Sequence, residues 1–504
     1  MSREPESYTL SLTSISLAML LATLCWGLPA QAAEDVDGEV TLEEVLESVR
    51  ATHPKVEASR AKVAKAQSKR QQAMGAFDLT LGSGASYTTT DAKHYGLFDI
   101  TLAQPTTFWG VTFFTGYRLD VGKVPDYKDE YKQKVGKSLV YKDKYTVGAP
   151  GQMHVGLLVP LWRGGRTDKE RTKLRMAEAD ITAAEADLAL AQLELEVKAT
   201  EAYLKWIAAG QKVVATRQLL ELATKRNGQI TEKVKQGDLA PIEELENRRA
   251  ILKREGKLLE AEQSFYSSAV KLSLYLRDDN LEGQILEEDS LPDDFGPYKL
   301  PSREEALAAA EAAAKMRPEW RVLQAQREQL QAELALAQNS AAPKVDLTAS
   351  FGNALDKLKP EANVGMKVEM QLQRRDARGA EETARAELTR IDAEQRLLVD
   401  TQRAEVLAAY NELALAHRAI AVASEELDIS LRGEQAERTK QELGDSTLLK
   451  VNLREQYRIE AATRLIEAKR AARAALANFC AASGQDLVTC MVPTTGSEAE
   501  APEK

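Results

Sequence analysis

Residues 181–198 read ITAAEADLALAQLELEVK. Ile181, Ala184, Leu188, Ala191 and Leu195 recur in steps of three and four, the seam of a helix that packs sideways on another helix. Working outward, the pattern predicts one helix from about Thr167 to Lys235. A run of roughly 65–70 residues at about 1.5 Å rise each is about 100 Å long. No compact core needs such a helix, so it requires lateral partners along its length. A second stretch, with Ala384, Leu388, Ile391 and Leu398 on its seam, predicts another from about Arg378 to Glu442. Leu465, Ala468, Ala472, Ala475 and Phe479 continue the pattern near the C-terminus. Alanine at many seam positions lets neighbouring helices approach closely.

Both long helices end alike. Gln236-Gly237-Asp238-Leu239-Ala240-Pro241 offers glycine for a left-handed cap and then proline to open the next helix. Leu443-Gly444-Asp445-Ser446-Thr447 offers glycine and then an N-capping side chain. These are the tips of helical hairpins.

The spacing of these features is duplicated. Glu43-Glu44-Val45-Leu46 is answered by Glu304-Glu305-Ala306-Leu307, His53-Pro54 by Arg317-Pro318, and Asp78-Leu79-Thr80 by Asp346-Leu347-Thr348. Val155-Gly156 matches Val364-Gly365, Ala202-Tyr203 matches Ala409-Tyr410, and Gly237-Asp238 matches Gly444-Asp445. Six matches in one order predict two tandem copies, each running helix, strand pair, very long helix, tight turn, helix. The expected division is a leader at 1–33, a first repeat at 34–280, a linker at 281–300, a second repeat at 301–484 and a polar tail at 485–504, whose polar, acidic end from Pro493 predicts disorder. Within the repeats the expected elements are a strand pair inside 78–162 around a long insertion, helices 165–235 and 241–277, a strand pair inside 344–373, and helices 377–443 and 446–482.

Four segments alternate with period two. The apolar positions are Leu79, Leu81, Ala85 and Tyr87; Met153, Val155, Leu157, Val159 and Leu161; Val345, Leu347, Ala349 and Phe351; and Val364, Met366, Val368, Met370 and Leu372. One apolar face at period two is a strand, and about nine residues suit a tilted membrane-spanning one. Thirteen of the 28 aromatic residues fall between Asp78 and Trp162, which favours strands crossing two membrane interfaces over a soluble sheet. Inside the insertion, Phe98–Leu102 and Val111–Leu119 also alternate; they are read as an external hairpin over a barrel mouth, with an extra strand pair as the alternative. Four strands per chain cannot close a barrel, and bare backbone groups are not tolerated in hydrocarbon, so several chains must pool their strands. Three chains give about 12 strands.

The leader reading rests on an apolar run from Leu10 to Leu28 followed by Ala30-Gln31-Ala32, a small-x-small cleavage site, although Arg3 stands against Glu4 and Glu6. Leu24 is too large for Cys25 to be a lipidated cysteine. After the leader no apolar run is long enough for a transmembrane helix. Cys480 and Cys490 then remain, able to form a disulfide in an oxidising compartment or to stay as two buried thiols.

Other chemistry is thinly represented. The net charge is −10, with signs mixed along the helices, which argues against nucleic acid as a partner. The Lys-rich stretch from Lys123 to Lys144 reads as an exposed loop. His53, His94, His154 and His417 have no partner at metal-ligand or catalytic spacing. Gly136-Lys137-Ser138 imitates the end of a phosphate loop, but Tyr131 stands where its first glycine belongs. The expectation is of no enzyme, no cofactor and no metal.

Taken together, the tandem repeat, the His53-Pro54 and Arg317-Pro318 pairs, Pro160-Leu161-Trp162-Arg163-Gly164-Gly165 after a strand, Gln373-Arg374-Arg375-Asp376-Ala377-Arg378-Gly379 at the equivalent place, and the Gly237 and Gly444 turns resemble the TolC family of outer-membrane efflux proteins over nearly all of the mature chain. The resemblance implies a mainly α fold with a membrane β-barrel part: a homotrimer whose 12-stranded barrel lies in the outer membrane and whose helical tunnel crosses the periplasm. It implies partnership with a periplasmic adaptor (membrane fusion protein), an inner-membrane pump and outer-membrane lipid, in a tripartite efflux pump or type I secretion system. It also implies that the tips at 236–243 and 443–450 form a gated entrance. The acids that ring this constriction in the family are replaced here by Lys450 and Leu453, with only Asp445 nearby, whereas the first tip holds Asp238, Glu243, Glu244 and Glu246. The competing expectation is a periplasmic coiled-coil adaptor or scaffold, which explains the helices but not the matched strands.

Overall fold

The computed structural model describes residues 38–90, 93–122, 131–135, 138–142, 151–278, 280–354 and 360–491. The expected leader at 1–33 and the acidic end from Pro493 lie outside them.

The chain starts with α1 (Leu42–Thr52) and α2 (Pro54–Met74). Six strands follow: β1 (Thr80–Thr90), β2 (Lys93–Pro105), β3 (Thr112–Gly122), β4 (Tyr131–Val135), β5 (Ser138–Lys142) and β6 (Gln152–Pro160). Then come α3 (Lys169–Gln236) and α4 (Pro241–Leu272), α5 (Arg303–Met316) and α6 (Pro318–Ser340), and strands β7 (Lys344–Ala354) and β8 (Pro360–Glu369). The chain finishes with α7 (Arg375–Glu442), α8 (Leu448–Ser483) and α9 (Leu487–Met491).

The single helix expected at the start of each half is two helices. Thr41 and Ser302 open α1 and α5 with capping boxes closed by Glu44 and Glu305, the acids of the matched sequence pairs. Pro54 and Pro318 cannot donate to the preceding turn, so α1 and α5 stop at the residue before His53 and Arg317, and the prolines start α2 and α6 at their first position.

α3 and α7 have 68 residues each. Below the sheet the helices lie side by side in the order α2–α3–α6–α7; towards the hairpin turns the order is α4–α3–α8–α7. Where the two ribbons meet, α1, α5, α9 and Leu276, Leu286 and Phe295 of the connection after α4 pack on them and make the main hydrophobic core. Trp206, Leu204 and Ile207 of α3 pack there with Leu46 and Val49 of α1, Phe265 and Leu272 of α4, Leu413 of α7 and Phe479 of α8. Trp206 is fully buried and stacks on Phe265 at 6.2 Å between ring centroids. Cutting such a side chain to alanine typically costs about 3–5 kcal/mol. The polar tail expected from 485 begins instead as α9, whose Leu487 and Met491 are buried in this core and whose Cys490 is bonded to Cys480 of α8. No helix among the described residues is long and apolar enough to cross a membrane, which says nothing of the strands.

The main sheet has six strands, not four, in the order β1-β2-β3-β6-β7-β8, with every pairing antiparallel. The external hairpin expected at 98–119 is corrected: it is β2 and β3, inserted in the sheet between β1 and β6. The second half, with two strands, was the wrong template for the first. The register explains the insertion. Leu81 faces Leu102, Phe98 faces Leu119, Phe113 faces Leu157, Val155 faces Phe351 and Leu347 faces Met366. Direct partners share a face, so the apolar side runs unbroken across all six strands. The other side carries Thr80, Gly82, Thr101, Gly116, Gly156, Ser350 and Gly365. There, Asp99 meets Arg118 across β2 and β3 at 3.6 Å and accepts from Thr101 Oγ1 at 2.7 Å. Within the Lys-rich stretch, β4 and β5 form a separate two-stranded hairpin rather than a featureless loop.

With Cys480 and Cys490 bonded, neither should react with a thiol reagent in denatured, unreduced protein and both should after reduction; labelling of both cysteines without reductant would contradict the bond.

Candidate functional site

The two hairpin turns are built by the same backbone device. In the first, Gly237 takes φ +85°, its N–H donates to Val234 O at 3.1 Å, and Asp238 N–H donates to Lys233 O at 2.9 Å. In the second, Gly444 takes φ +85°, donating to Gln441 O at 3.1 Å, while Asp445 N–H donates to Lys440 O at 2.9 Å. Both are Schellman caps, and a side chain at either glycine would be strained. Lys233 and Lys235 stand in the last turn of α3 and Lys440 in that of α7, where cations complement the helix dipole.

The restarts differ. Pro241 opens α4 without a side-chain cap at Ala240, and Glu243 and Glu244 occupy its first turn. α8 opens after Thr447 with no acid in its first turn and an exposed Lys450. Asp238 and Asp445 are exposed at the turns. Glu243 and Glu244 are half-buried, and Glu244 accepts from Thr231 Oγ1 of α3 at 2.8 Å. Glu244 therefore ties its own hairpin together as well as adding charge to the tip.

About two turns above the tips lies a cluster that the sequence reading missed. Glu455 of α8 has no exposed surface. Its carboxylate takes Arg226 of α3, Arg254 of α4 at 2.8 Å and Arg438 of α7 at 2.9 Å. Asn452 Oδ1 adds an acceptor for Arg226 at 3.0 Å and Arg254 at 3.2 Å. Arg438 also meets Glu434 at 2.5 Å, and Glu434 meets Arg458 at 2.8 Å. Nearer the turn, Ser446 Oγ donates to Glu437 at 2.5 Å. Burial works to raise the Glu455 carboxyl, but the hydrogen bonds and charges of Arg226 and Arg254 outweigh it and hold the group below the ordinary carboxylate value. Burial in turn lowers the Arg254 guanidinium despite Glu455. One carboxylate thus joins all four helices of the lower ribbon and brings both tips to the same end. The cue was local: Leu448, Val451 and Glu455 lie on one helix face, and the third place of that apolar stripe holds a charge.

Among the described residues, no group of three or more His, Cys, Asp or Glu is placed to hold a metal ion.

Comparison with solved structures places this architecture in one class. The outer-membrane protein VceC of Vibrio cholerae aligns with a TM-score of 0.59 at 15% identity, covering 88% of this chain and 96% of that one. The open state of the MtrE outer-membrane channel of Neisseria gonorrhoeae gives 0.61 at 13% identity, with 88% and 89% covered. The CmeC outer-membrane channel of Campylobacter jejuni gives 0.57 at 14% identity, with 96% and 93% covered. No family model matches the sequence, and no curated protein sequence does. The chain has the fold of the outer-membrane channels of the TolC type, a likeness carried by structure at very low sequence identity.

Removing one partner of a buried ion pair typically costs about 3–5 kcal/mol, because the remaining charges stay buried. Glu455→Ala should therefore speed amide exchange in 219–260 and 434–460 while leaving the Trp206 core protected. Because the folded-state Glu455 carboxyl lies below its ordinary value, its stabilisation is present above the ordinary carboxylate range and lost as pH falls below that range through the lowered folded-state value. The same segments of the unmodified protein should loosen on acidification, and equal protection in variant and parent at neutral pH would contradict the role of the cluster.

Proposed function

We propose that this chain is one subunit of a homotrimeric exit duct: the sheet forms part of a barrel in the outer membrane, and the helical ribbon stands in the periplasm. The observation that carries this reading is that the lower ribbon is open at both lateral edges and both edges are apolar. On α4, Leu245, Leu252, Leu259 and Tyr266 recur every seven residues and are each more than half exposed. On α7, at the opposite edge, Leu415, Val422 and Ile429 do the same. A seven-residue apolar repeat is the seam of a coiled coil, and a single chain leaves both seams uncovered. Packing α4 of one copy against α7 of the next covers both and closes a ring. A coiled-coil scaffold would account for the seams, but not for a sheet with one continuous apolar face.

The tips then form the inner entrance. Opening it requires the pair α3–α4 to part from α7–α8, and the Glu455 cluster with Arg226, Arg254 and Arg438 resists that movement. A groove of about 640 Å³ runs between α4 and α8 beside the cluster. It is lined by Leu219, Leu453 and Ile459 together with Arg249, Lys253 and Lys257. Such a groove suits an amphipathic helix, the form in which an adaptor (membrane fusion protein) would engage. An inner-membrane pump or type I secretion ATPase would supply the energy; this chain supplies a conduit for efflux. Glu243 and Glu244 of three copies would ring the entrance with negative charge and favour cations.

Two outcomes are expected. Detergent extraction of the outer-membrane fraction should yield a particle with three copies of the chain, whereas a soluble monomer would remove the duct reading. Glu243→Lys with Glu244→Lys should shift single-channel ion selectivity towards anions; unchanged selectivity and conductance would remove these residues from the entrance.

A further inference from the structure

We propose that three copies close one barrel of 18 strands, six from each, in which β8 of each copy pairs with β1 of the next. The inference rests on the trimeric duct reading and departs from the 12 strands that the family resemblance implies.

The β2–β3 hairpin is built as wall and not as a flap. Its outward residues Phe98, Ile100, Leu102 and Phe113 are exposed and continue the apolar face between β1 and β6. Its lower turn is fastened to the junction of β6 and α3. There Trp109 Nε1 donates to Pro160 O at 3.1 Å. Gly110, at φ +67°, lies so close that a Cβ would come within 2.6 Å of Gly164 O. On the other side Gln104 Nε2 donates to Phe77 O, ahead of β1, at 2.6 Å. The hairpin is thus tied to both neighbours at the level where strands give way to helices. On its inner face the buried Asp99 of β2 meets Arg118 of β3.

Among the described residues the sheet nevertheless ends in two open edges, since β1 and β8 each have one neighbour there. Open edges are not tolerated in hydrocarbon, where no water can satisfy the backbone. β1 leaves α2 for the far end of the sheet and β8 returns from there towards α7, so β8 of one copy meets β1 of the next antiparallel, as in every pairing within the chain. The outward residues at these edges, Leu81 and Tyr87 on β1 and Val364, Met366 and Val368 on β8, are among the most exposed apolar side chains of the protein. The occupant of each edge is therefore a second copy of this sheet. An even count also permits fully antiparallel closure. Barrel diameter grows roughly linearly with strand number, so the mouth is about one and a half times as wide as that of a 12-stranded barrel, within the range that leaves an aqueous channel.

Electron cryomicroscopy of the full-length protein in lipid nanodiscs tests the count directly. A threefold particle with 18 strands is the expected result. A threefold particle with 12 strands and β2–β3 outside the wall overturns the count and leaves the duct reading standing. A particle without threefold symmetry, or a protein that stays out of the nanodisc, overturns the duct reading itself. A spin label at Ile100→Cys provides a second readout on the same particle. In the wall it is reached by oxygen dissolved in lipid and shielded from a water-soluble nickel chelate; the reverse pattern overturns the placement of β2.

Discussion

The helical ribbon carries more apolar seam than its own chain can cover, and the excess lies on α4 and α7. α3 and α7 run 68 residues, and most of the inward surface of α3 is buried by α2, α4, α6 and α8. The edges are different: the seams of α4 and α7 face outward, and so do the backbone edges of β1 and β8. Water makes an apolar seam costly, and hydrocarbon makes an unpaired strand edge costlier. Both deficits lie on the same two sides of the protomer. The proposed ring of copies would remove both at once.

The two halves of the molecule solve their polar problems differently. In the sheet, the side opposite the continuous apolar face holds glycine and hydroxyl residues, the buried Phe114 and the Asp99–Arg118 ion pair. In the lower ribbon, buried charge gathers at one cluster, where Glu455 meets Arg226, Arg254 and Arg438 from three other helices. A buried charge cluster is a weak source of stability compared with apolar packing, yet it is directional, since it is satisfied in only one arrangement of the helices. An all-apolar contact at that level would let the helices slide. The cluster fixes their register close to the tips, while the Trp206 core fixes it farther up.

Much of this architecture was legible in the chain itself. The seam through Ile181, Leu188 and Leu195 specified a long helix, the glycines at 237 and 444 marked where the long helices turn, and period-two runs marked strands. These are local signals, written in the periodicity of a few neighbouring residues. The breaks at Pro54 and Pro318 were equally local, since proline alone forbids the continuing helix.

What the tertiary structure decided depends on residues far apart in the chain. The alternation in 98–119 was visible, but whether it joined the sheet was settled by the pairing of Phe113 with Leu157 and by the seat of Trp109 and Gly110 on Pro160 and Gly164. Glu455 looked like one more acid among many until three arginines from other helices converged on it. Cys480 and Cys490 were paired because α9 folds back into the core that Leu487 and Met491 help fill. Periodicity is a property of one segment and can be read from it; strand neighbours and buried charge partners are properties of pairs, and only packing selects the pair.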